Sequence, residues 1–247
     1  MKDSKRRNET IMMTHLCFAD IHTHILPDMD DGASSDEESI RLIRELSRQG
    51  VTAVAATPHF YADREHPFEF FARRQNGLSL LKKKFDFPIS ILPGAEVCYY
   101  PGISRTERLS EFAIGSTKLL LLEMPFYDWT ASVVKEVLSI QRDRNLKVIV
   151  AHIDRYFGTK SMACIEELRQ NGILFQINAN AFLDRKRRNE ALRLLRNQTA
   201  QFVASDCHSM ELRPPRLDEA FAVIKKQLGS EFLRWLNENS KICFEGR

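Results

Sequence analysis

The sequence predicts an α/β fold in which seven parallel strands alternate with helices and close into a TIM-like barrel. Three observations carry this expectation. First, short apolar runs at 17–24, 52–57, 88–95, 118–123, 147–152, 173–178 and 201–205 alternate with segments of helical character, and strict alternation implies a parallel sheet with its crossover helices outside. Second, five of the seven histidines, His22, His24, His59, His152 and His208, fall where such a run gives out, as do Glu96, Glu123 and Asp206. In a parallel barrel the C-terminal strand ends converge on one face, so residues distant in sequence meet around one point. An open doubly wound sheet gathers them less readily. Third, 247 residues with 43% hydrophobic content suit a single barrel-sized core.

The elements follow in order. CFADIHTH (17–24) is the first strand, and the acidic loop DMDDGASS (28–35) leads into an amphipathic helix from about Asp36 to Arg48. Ser35 is its N-cap and Gly50 lies past its end. Strand 52–57 precedes a helix over about 66–84, strand 88–95 a short helix near 104–112, and strand 118–123 a helix over 130–144. Strand 147–152 precedes a helix over 161–170 and strand 173–178 one over 184–197. Strand 201–205 precedes a C-terminal helix pair near 216–228 and 230–239. No internal repeat or low-complexity linker interrupts the pattern. Residues 1–13 read as a disordered tail with Met12 or Met13 as alternative starts, leaving 14–247 as one domain.

Composition narrows the function classes. The net charge is only +3 and the basic residues are spread through the helices, so no nucleic-acid stripe is expected. Five cysteines, an odd number without paired metal-finger spacing, favour reduced thiols in a cytoplasmic protein over a disulfide framework. The basic N-terminal segment is followed by no apolar signal core, and no run approaches transmembrane length, so neither secretion nor membrane insertion is expected.

The strand-end residues carry the chemistry. Side chains two apart on a strand point together, so HTH at 22–24 puts two imidazoles on one face. Asp31 follows in DDG (30–32), where Gly32 permits tight backbone, and His59 follows Pro58, which holds the preceding backbone extended. Glu96 and Glu123 end apolar strands, and a buried carboxylate without a compensating charge costs several kcal/mol, so each wants a cation. Arg155 lies close after His152, and Arg213 after Asp206 and His208. Each has an ordinary reading in isolation: a polar residue at a barrel mouth, a turn, a surface histidine, a salt bridge, a solvated arginine. Nine ligand-type residues on one face make those readings poor in combination. Mixed imidazole and carboxylate donors suit Mn, Fe or Zn doing chemistry, whereas oxygen alone would favour Mg or Ca and thiolates structural zinc.

DIHTHILPDMDDG, TPHF, GAE, LLLLEMPF, AHIDRY, ASDCHS and RPPRLDEA resemble the PHP (polymerase and histidinol phosphatase) superfamily. Within it the likeness is to the bacterial metal-dependent protein-tyrosine phosphatases associated with capsular and exopolysaccharide synthesis, over about residues 18–246. Where relatives commonly show TPHH and AHPER, this chain has TPHF and AHIDR. The resemblance implies a distorted seven-stranded (β/α) barrel of PHP type with three divalent ions, usually Mn2+. His22, His24, Glu96 and Asp206 would hold one, Glu96, Glu123 and His152 a second with Glu96 bridging, and Asp31, His59 and His208 the third. Arg155 and Arg213 would clamp the phosphoryl oxygens. Three divalent ions outweigh four carboxylates, a field suited to a phosphate dianion and a hydroxide. The implied activity is manganese-dependent protein-tyrosine phosphatase, with hydroxide on the metals attacking phosphorus in line. The implied partners are a phosphotyrosyl protein, a bacterial tyrosine kinase, and further copies of the chain through a Glu38/Arg41 pair resembling the family's interface motif.

Rival readings differ in chemistry. A small-molecule phosphatase of the histidinol-phosphate kind, or a nucleic-acid phosphoesterase, could use the same ions, and a non-catalytic regulatory barrel would turn over no aryl phosphate with Mn2+. Amidohydrolase barrels also begin with HxH but often bridge their metals through a strand-end lysine, where this chain has Glu123. Cys207 to Arg213 spells C-x5-R, the spacing of the cysteine-dependent tyrosine phosphatases. The intervening HSMEL lacks glycine and Pro214 and Pro215 follow directly, so a phosphate-cradling loop is not expected there. Alternation along a strand should turn Cys207 away from Asp206 and His208.

Overall fold

The computed structural model describes residues 18–84 and 89–244; the tail assigned to 1–13, the alternative starts and Cys17 lie outside the described residues. The fold is α/β with parallel strands that curl. β1 (Phe18–Thr23), β2 (Val51–Ala56) and β4 (Ser90–Pro93) form one sheet in the order β1-β2-β4. A second sheet runs β3-β5-β6-β7-β8-β9, from β3 (His59–Phe60) and β5 (Glu96–Cys98) through β6 (Leu119–Glu123), β7 (Lys147–Val150) and β8 (Leu174–Asn178) to β9 (Phe202–Ala204). Every pairing is parallel.

Two of the expected strands, 52–57 and 88–95, are each followed by a short further strand beyond the expected bounds, β3 and β5. The chain passes from β2 to β3 through Thr57 and Pro58, and from β4 to β5 through Gly94 and Ala95. Pro58 has no N–H to give to a ladder. A Cβ at Gly94 would sit 2.9 Å from the Thr57 Cγ2 atom, so glycine lets the two breaks lie side by side. Gly94 N–H donates to Ala56 O (2.9 Å) and Glu96 N–H to Pro58 O (3.1 Å), which keeps both chains in register as they cross between sheets. On the other flank His24 N–H donates to Cys207 O (2.9 Å) and Asp206 N–H to His22 O (3.0 Å), tying the end of β1 to the segment after β9. A small apolar cluster of Ile21, Ala55, Leu121, Ile149, Phe202 and Ala204 packs strands of both sheets together.

The helices are α1 (Asp36–Arg48), α2 (Pro67–Lys84), α3 (Ala131–Arg144), α4 (Ile165–Gln170), α5 (Ala179–Leu183), α6 (Arg188–Arg196), α7 (Leu217–Leu228) and α8 (Ser230–Ile242). α1 starts as its sequence dictates: the Ser35 hydroxyl accepts from Glu38 N–H, three acidic residues fill the first turn, and Leu42, Ile43 and Leu46 are buried. Gly50 follows at φ +86, a left-handed position that suits glycine. The short helix expected near 104–112 is instead two 3-10 turns, Ile103–Arg105 and Leu109–Phe112, with Arg108 left-handed between them. The helix expected over 184–197 is shorter, because 184–187 forms a turn between α5 and α6. Among the described residues no helix is long and apolar enough to cross a membrane.

Phe60 is fully buried and packs against Phe70 and Phe112 with ring centroids 5.3 and 4.4 Å away, which makes it a core residue.

Candidate metal and phosphate site

The strand ends bring all nine expected ligand-type residues together. His22 lies on β1 and Glu123 ends β6; His59 and Glu96, expected at the ends of strands, instead open β3 and β5, while His24, His152, Asp206 and His208 lie past the ends of β1, β7 and β9. All are buried except Asp31, whose side chain is 67% exposed at the rim. His152 and Asp206 adopt left-handed backbone, φ 31 and φ 52, which is unfavourable for residues with a Cβ. Hydrogen bonds hold both turns: His152 N–H donates to Gln176 Oε1 at 2.7 Å, and Asp206 N–H reaches His22 O.

Four side-chain atoms, His22 Nε2, His24 Nε2, Glu96 Oε2 and Asp206 Oδ1, form a compact group. The two nitrogens are 3.1 Å apart; Glu96 Oε2 is 3.1 and 3.3 Å from them, and Asp206 Oδ1 is 3.4 Å from each. Donor atoms sharing one ion at bonds of about 2 Å stand roughly 3–3.5 Å apart, the spacing these five separations show. The protonation pattern agrees. His22 Nδ1–H donates to Gln176 Oε1 (3.2 Å) and His24 Nδ1–H to Asp30 Oδ2 (2.6 Å), so in the neutral ring, the form that binds a metal, each Nε2 turns its lone pair to the centre. Glu96 Oε2 and Asp206 Oδ1 are buried with no hydrogen-bond donor. Buried, ionised oxygens without donors facing imidazole lone pairs fit a divalent cation better than one another.

Glu96 is the hub. Its Oε2 also lies 3.1 Å from His59 Nδ1, another buried atom without a hydrogen bond, and its Oε1 is 2.5 Å from His152 Nε2. Glu123 stands 3.3 Å from His152 Nε2 and 4.0 Å from His59 Nδ1. Asp31 Oδ1 approaches His208 Nε2 at 3.3 Å and His59 Nε2 at 3.7 Å, in a group that also includes His24.

Burial by itself would raise the Glu96 carboxyl pKa, but His22, His59 and His152 outweigh it and hold that pKa well below the ordinary value. Asp206 is held low in the same way by His22, His24 and His152. Burial depresses His59 and His208, favouring the neutral ring that ligates metals. In His24 burial acts in the same direction, yet Asp30, Asp206 and Glu96 together raise it well above the usual value. That concentration of negative charge would act on any cation.

The arginines complete the face. Arg155 donates to Glu123 Oε1 (2.8 Å) and Asp206 Oδ2 (3.2 Å); Arg213 donates to Asp206 Oδ2 (2.5 Å) and His208 Nε2 (2.9 Å). Asp206 thus turns one oxygen to the imidazoles and the other to both guanidinium groups. A cavity of about 350 Å3 opens beside Asp31 and His59, with Tyr61 and Arg64 in its wall. A larger one of about 500 Å3 lies at the opposite, N-terminal ends of β6 and β7, next to Lys118 and Lys147, and is lined by no histidine or carboxylate.

Three site residues escaped the sequence reading. Asp30 accepts from His24, from His59 N–H (2.7 Å) and from Gly32 N–H (2.9 Å), and so orients the DDG loop. Gly32 is required there, since a Cβ would lie 2.4 Å from His24 O and 2.5 Å from His24 Cβ. Gln176 serves His22 and His152, and Asn178 donates to Asp206 Oδ2 (2.7 Å). The legible signal was two polar residues at period two in the otherwise apolar strand LFQIN.

Cys207 is fully buried in the main core, and burial pushes its thiol up to about 12. The reason differs from the alternation expected of a strand. β9 ends at Ala204, and it is the left-handed turn at Asp206 that separates Cys207 from its neighbours. The Glu38/Arg41 pair forms at 3.1 Å, but Glu38 also accepts from Met210 N–H (2.6 Å), which ties α1 to the loop carrying Arg213.

Residues 18–243 match the family model described as capsular polysaccharide synthesis, CpsB/CapC. The chain is 30% identical over 235 residues to the tyrosine-protein phosphatase YwqE of Bacillus subtilis, covering 92% of each. It is 31% identical to the tyrosine-protein phosphatase CpsB of Streptococcus agalactiae, covering 86% of this chain and 91% of that one. Among solved structures, one described with YwqE from Bacillus subtilis and CpsB from Streptococcus pneumoniae as metal-dependent tyrosine phosphatases superposes with a TM-score of 0.81 at 28% identity, over 93% of this chain and 95% of that one. A histidinol phosphate phosphatase from Lactococcus lactis shares the fold at a TM-score of 0.52 and 17% identity, over 85% of this chain and 93% of its own.

Proposed function

The chain belongs to the CpsB/CapC family of capsular polysaccharide synthesis proteins, and on that premise we propose that it is a metal-dependent phosphatase hydrolysing phosphotyrosine in a protein substrate that regulates polysaccharide synthesis. The observation that carries this reading is the double role of Asp206, one oxygen among imidazole lone pairs and the other on two guanidinium groups. In our reading His22, His24, Glu96 and Asp206 hold one divalent ion, Glu96, Glu123 and His152 a second, and Asp31, His59 and His208 a third, with Mn2+ preferred and Fe or Zn as alternatives. When bound, such ions supply Lewis acidity that acidifies water and offsets charge on phosphoryl oxygens.

The chain's own residues do the rest. Arg155 exchanges Glu123, and Arg213 exchanges His208, for phosphoryl oxygens while each keeps its bond to Asp206, and each offers a planar fork that fixes orientation as well as charge. Asp206, accepting from both, keeps the forks side by side. Gln176 and Asp30 fix which histidine nitrogen faces inward. The departing tyrosyl oxygen has a pKa near 10 and needs less help than the alkoxide of a serine ester. The same reading makes the chain a single domain over 14–247, a distorted seven-stranded PHP barrel supported by the bonds joining β1 to the segment after β9. It also makes the chain a cytoplasmic partner of a tyrosine kinase and a homo-oligomer, which light scattering at micromolar concentration tests.

Kinetics on a phosphotyrosyl peptide, the matching phosphoseryl peptide and histidinol phosphate, with metal content determined on the same sample, test the function. A preference for the phosphotyrosyl peptide that tracks metal content is expected; a preference for histidinol phosphate replaces the proposal with a small-molecule phosphatase. Arg155→Lys and Arg213→Lys should each lower kcat/KM by roughly ten- to a hundredfold, because a point charge cannot reproduce a bidentate fork. Unchanged constants in both variants would remove the clamp. Asp30→Ala should weaken metal binding about ten- to a hundredfold in a titration, through loss of the His24 partner. An unaltered metal isotherm would reduce Asp30 to a loop residue.

A further inference from the structure

Phe126 and Tyr127 follow Glu123 by three and four residues and are 71% and 56% exposed. Single exposed aromatics are ordinary on a protein surface, so position and rigidity must decide whether these matter. The Phe126 ring centroid lies 5.9 Å from Arg155 Cζ, and that guanidinium is the one donating to Glu123 and Asp206. The backbone before Phe126 is anchored: Tyr156 Oη–H donates to Met124 O (2.6 Å) and Trp129 Nε1–H to Pro125 O (3.2 Å). Beyond it, Trp129 N–H donates to Ser161 Oγ (3.0 Å), and the buried Trp129 and Tyr156 rings pack edge to face at 4.7 Å. The loop therefore holds Phe126 at the site mouth with little backbone freedom left to lose on binding.

We infer that Phe126 is a specificity-determining residue, the wall against which the phenyl ring of phosphotyrosine packs while its phosphoryl group sits on Arg155 and Arg213. The inference rests on the phosphatase reading above and deepens it by assigning the selection of aryl over alkyl esters to one side chain. With phosphoryl oxygens on Arg155, the ester oxygen and then the ring project outward. The Phe126 ring already stands within cation–π range of that guanidinium, and its exposed remainder is free to pack against a substrate ring. A phosphoserine side chain has no aromatic face to offer. The wall is therefore selective for the class of leaving group.

The test compares wild type, Phe126→Ala and Phe126→Tyr on matched phosphotyrosyl and phosphoseryl peptides, with inhibition by phenylphosphonate and methylphosphonate as a binding readout independent of turnover. Phe126→Ala is expected to lower the aryl-to-alkyl ratio of kcat/KM roughly tenfold, mainly through KM for the phosphotyrosyl peptide, and to weaken phenylphosphonate about fivefold relative to methylphosphonate. Phe126→Tyr should restore both. If wild type prefers the aryl peptide and Phe126→Ala keeps that preference, the wall is refuted and the phosphatase reading stands. Equal loss on both peptides also refutes it, placing Phe126 behind Arg155 and not against the substrate. A wild type without aryl preference overturns the tyrosine phosphatase reading and this inference with it.

Discussion

Replacing Glu96 with glutamine lowers turnover by about a thousandfold or more, the largest effect expected of any single change in this molecule. The carboxylate approaches His22, His24, His59 and His152 at 3.3 Å or less, and its Oε2 has no hydrogen-bond donor. An amide of the same shape keeps the volume but loses the charge, and its NH2 end would face lone pairs of imidazole and metal ions alike. The isosteric change separates chemistry from packing, since the side chain still fills its place beside β6. Circular dichroism checks that the variant is folded, and metal analysis checks that it binds fewer ions. Chelation of the wild type should have the same consequence reversibly. A Glu96→Gln protein with activity within tenfold of wild type, or a wild type indifferent to EDTA, would end the metal-centre assignment.

The second large effect is a contrast within three consecutive residues. Asp206→Asn and His208→Ala should lose activity by roughly a hundredfold or more, whereas Cys207→Ala should stay within about threefold of wild type. Asp206 holds both arginines and faces the imidazoles of His22 and His24, so its charge is needed on two sides. Cys207 is sealed in the core, and burial opposes the thiolate that a cysteine-dependent phosphatase requires. Alanine is the better probe than serine, because a buried hydroxyl without a good partner would destabilise the fold by about 1–3 kcal/mol for reasons unrelated to catalysis. The reverse pattern, or a trapped cysteinyl phosphate, would establish the thiol route through the C-x5-R spacing.

Much of the site was legible because its signal is local. An apolar run ending in histidine or a carboxylate is visible in six or seven residues, and parallel strand ends must converge, so His22, Glu96, Glu123, His152 and Asp206 could be grouped before any contact was known. The same locality explains the errors. The helix near 104–112 failed because Arg108 takes a left-handed conformation that no periodicity announces. Asp31 was legible as a ligand type beside Gly32, while Asp30, one residue away, was missed: which of two adjacent aspartates turns inward depends on the His24 and His59 groups it meets.

By itself, then, the sequence determined the alternation of strands and helices, the caps of α1 and the set of donor types, all of which follow from hydrophobic period, turn chemistry and residue identity along a few adjacent positions. Tertiary structure alone decided the rest. The breaks at Pro58 and Gly94 carry two strands from one sheet to the other, and they can lie side by side only because Gly94 brings no side chain against Thr57. Gln176 and Asn178 become partners of His22, His152 and Asp206 only because β8 lies beside β7 and β9. The turn at Asp206 sends Cys207 to the core and its neighbours to the site. Such outcomes depend on distances between residues far apart in the chain, and a linear pattern records no distances.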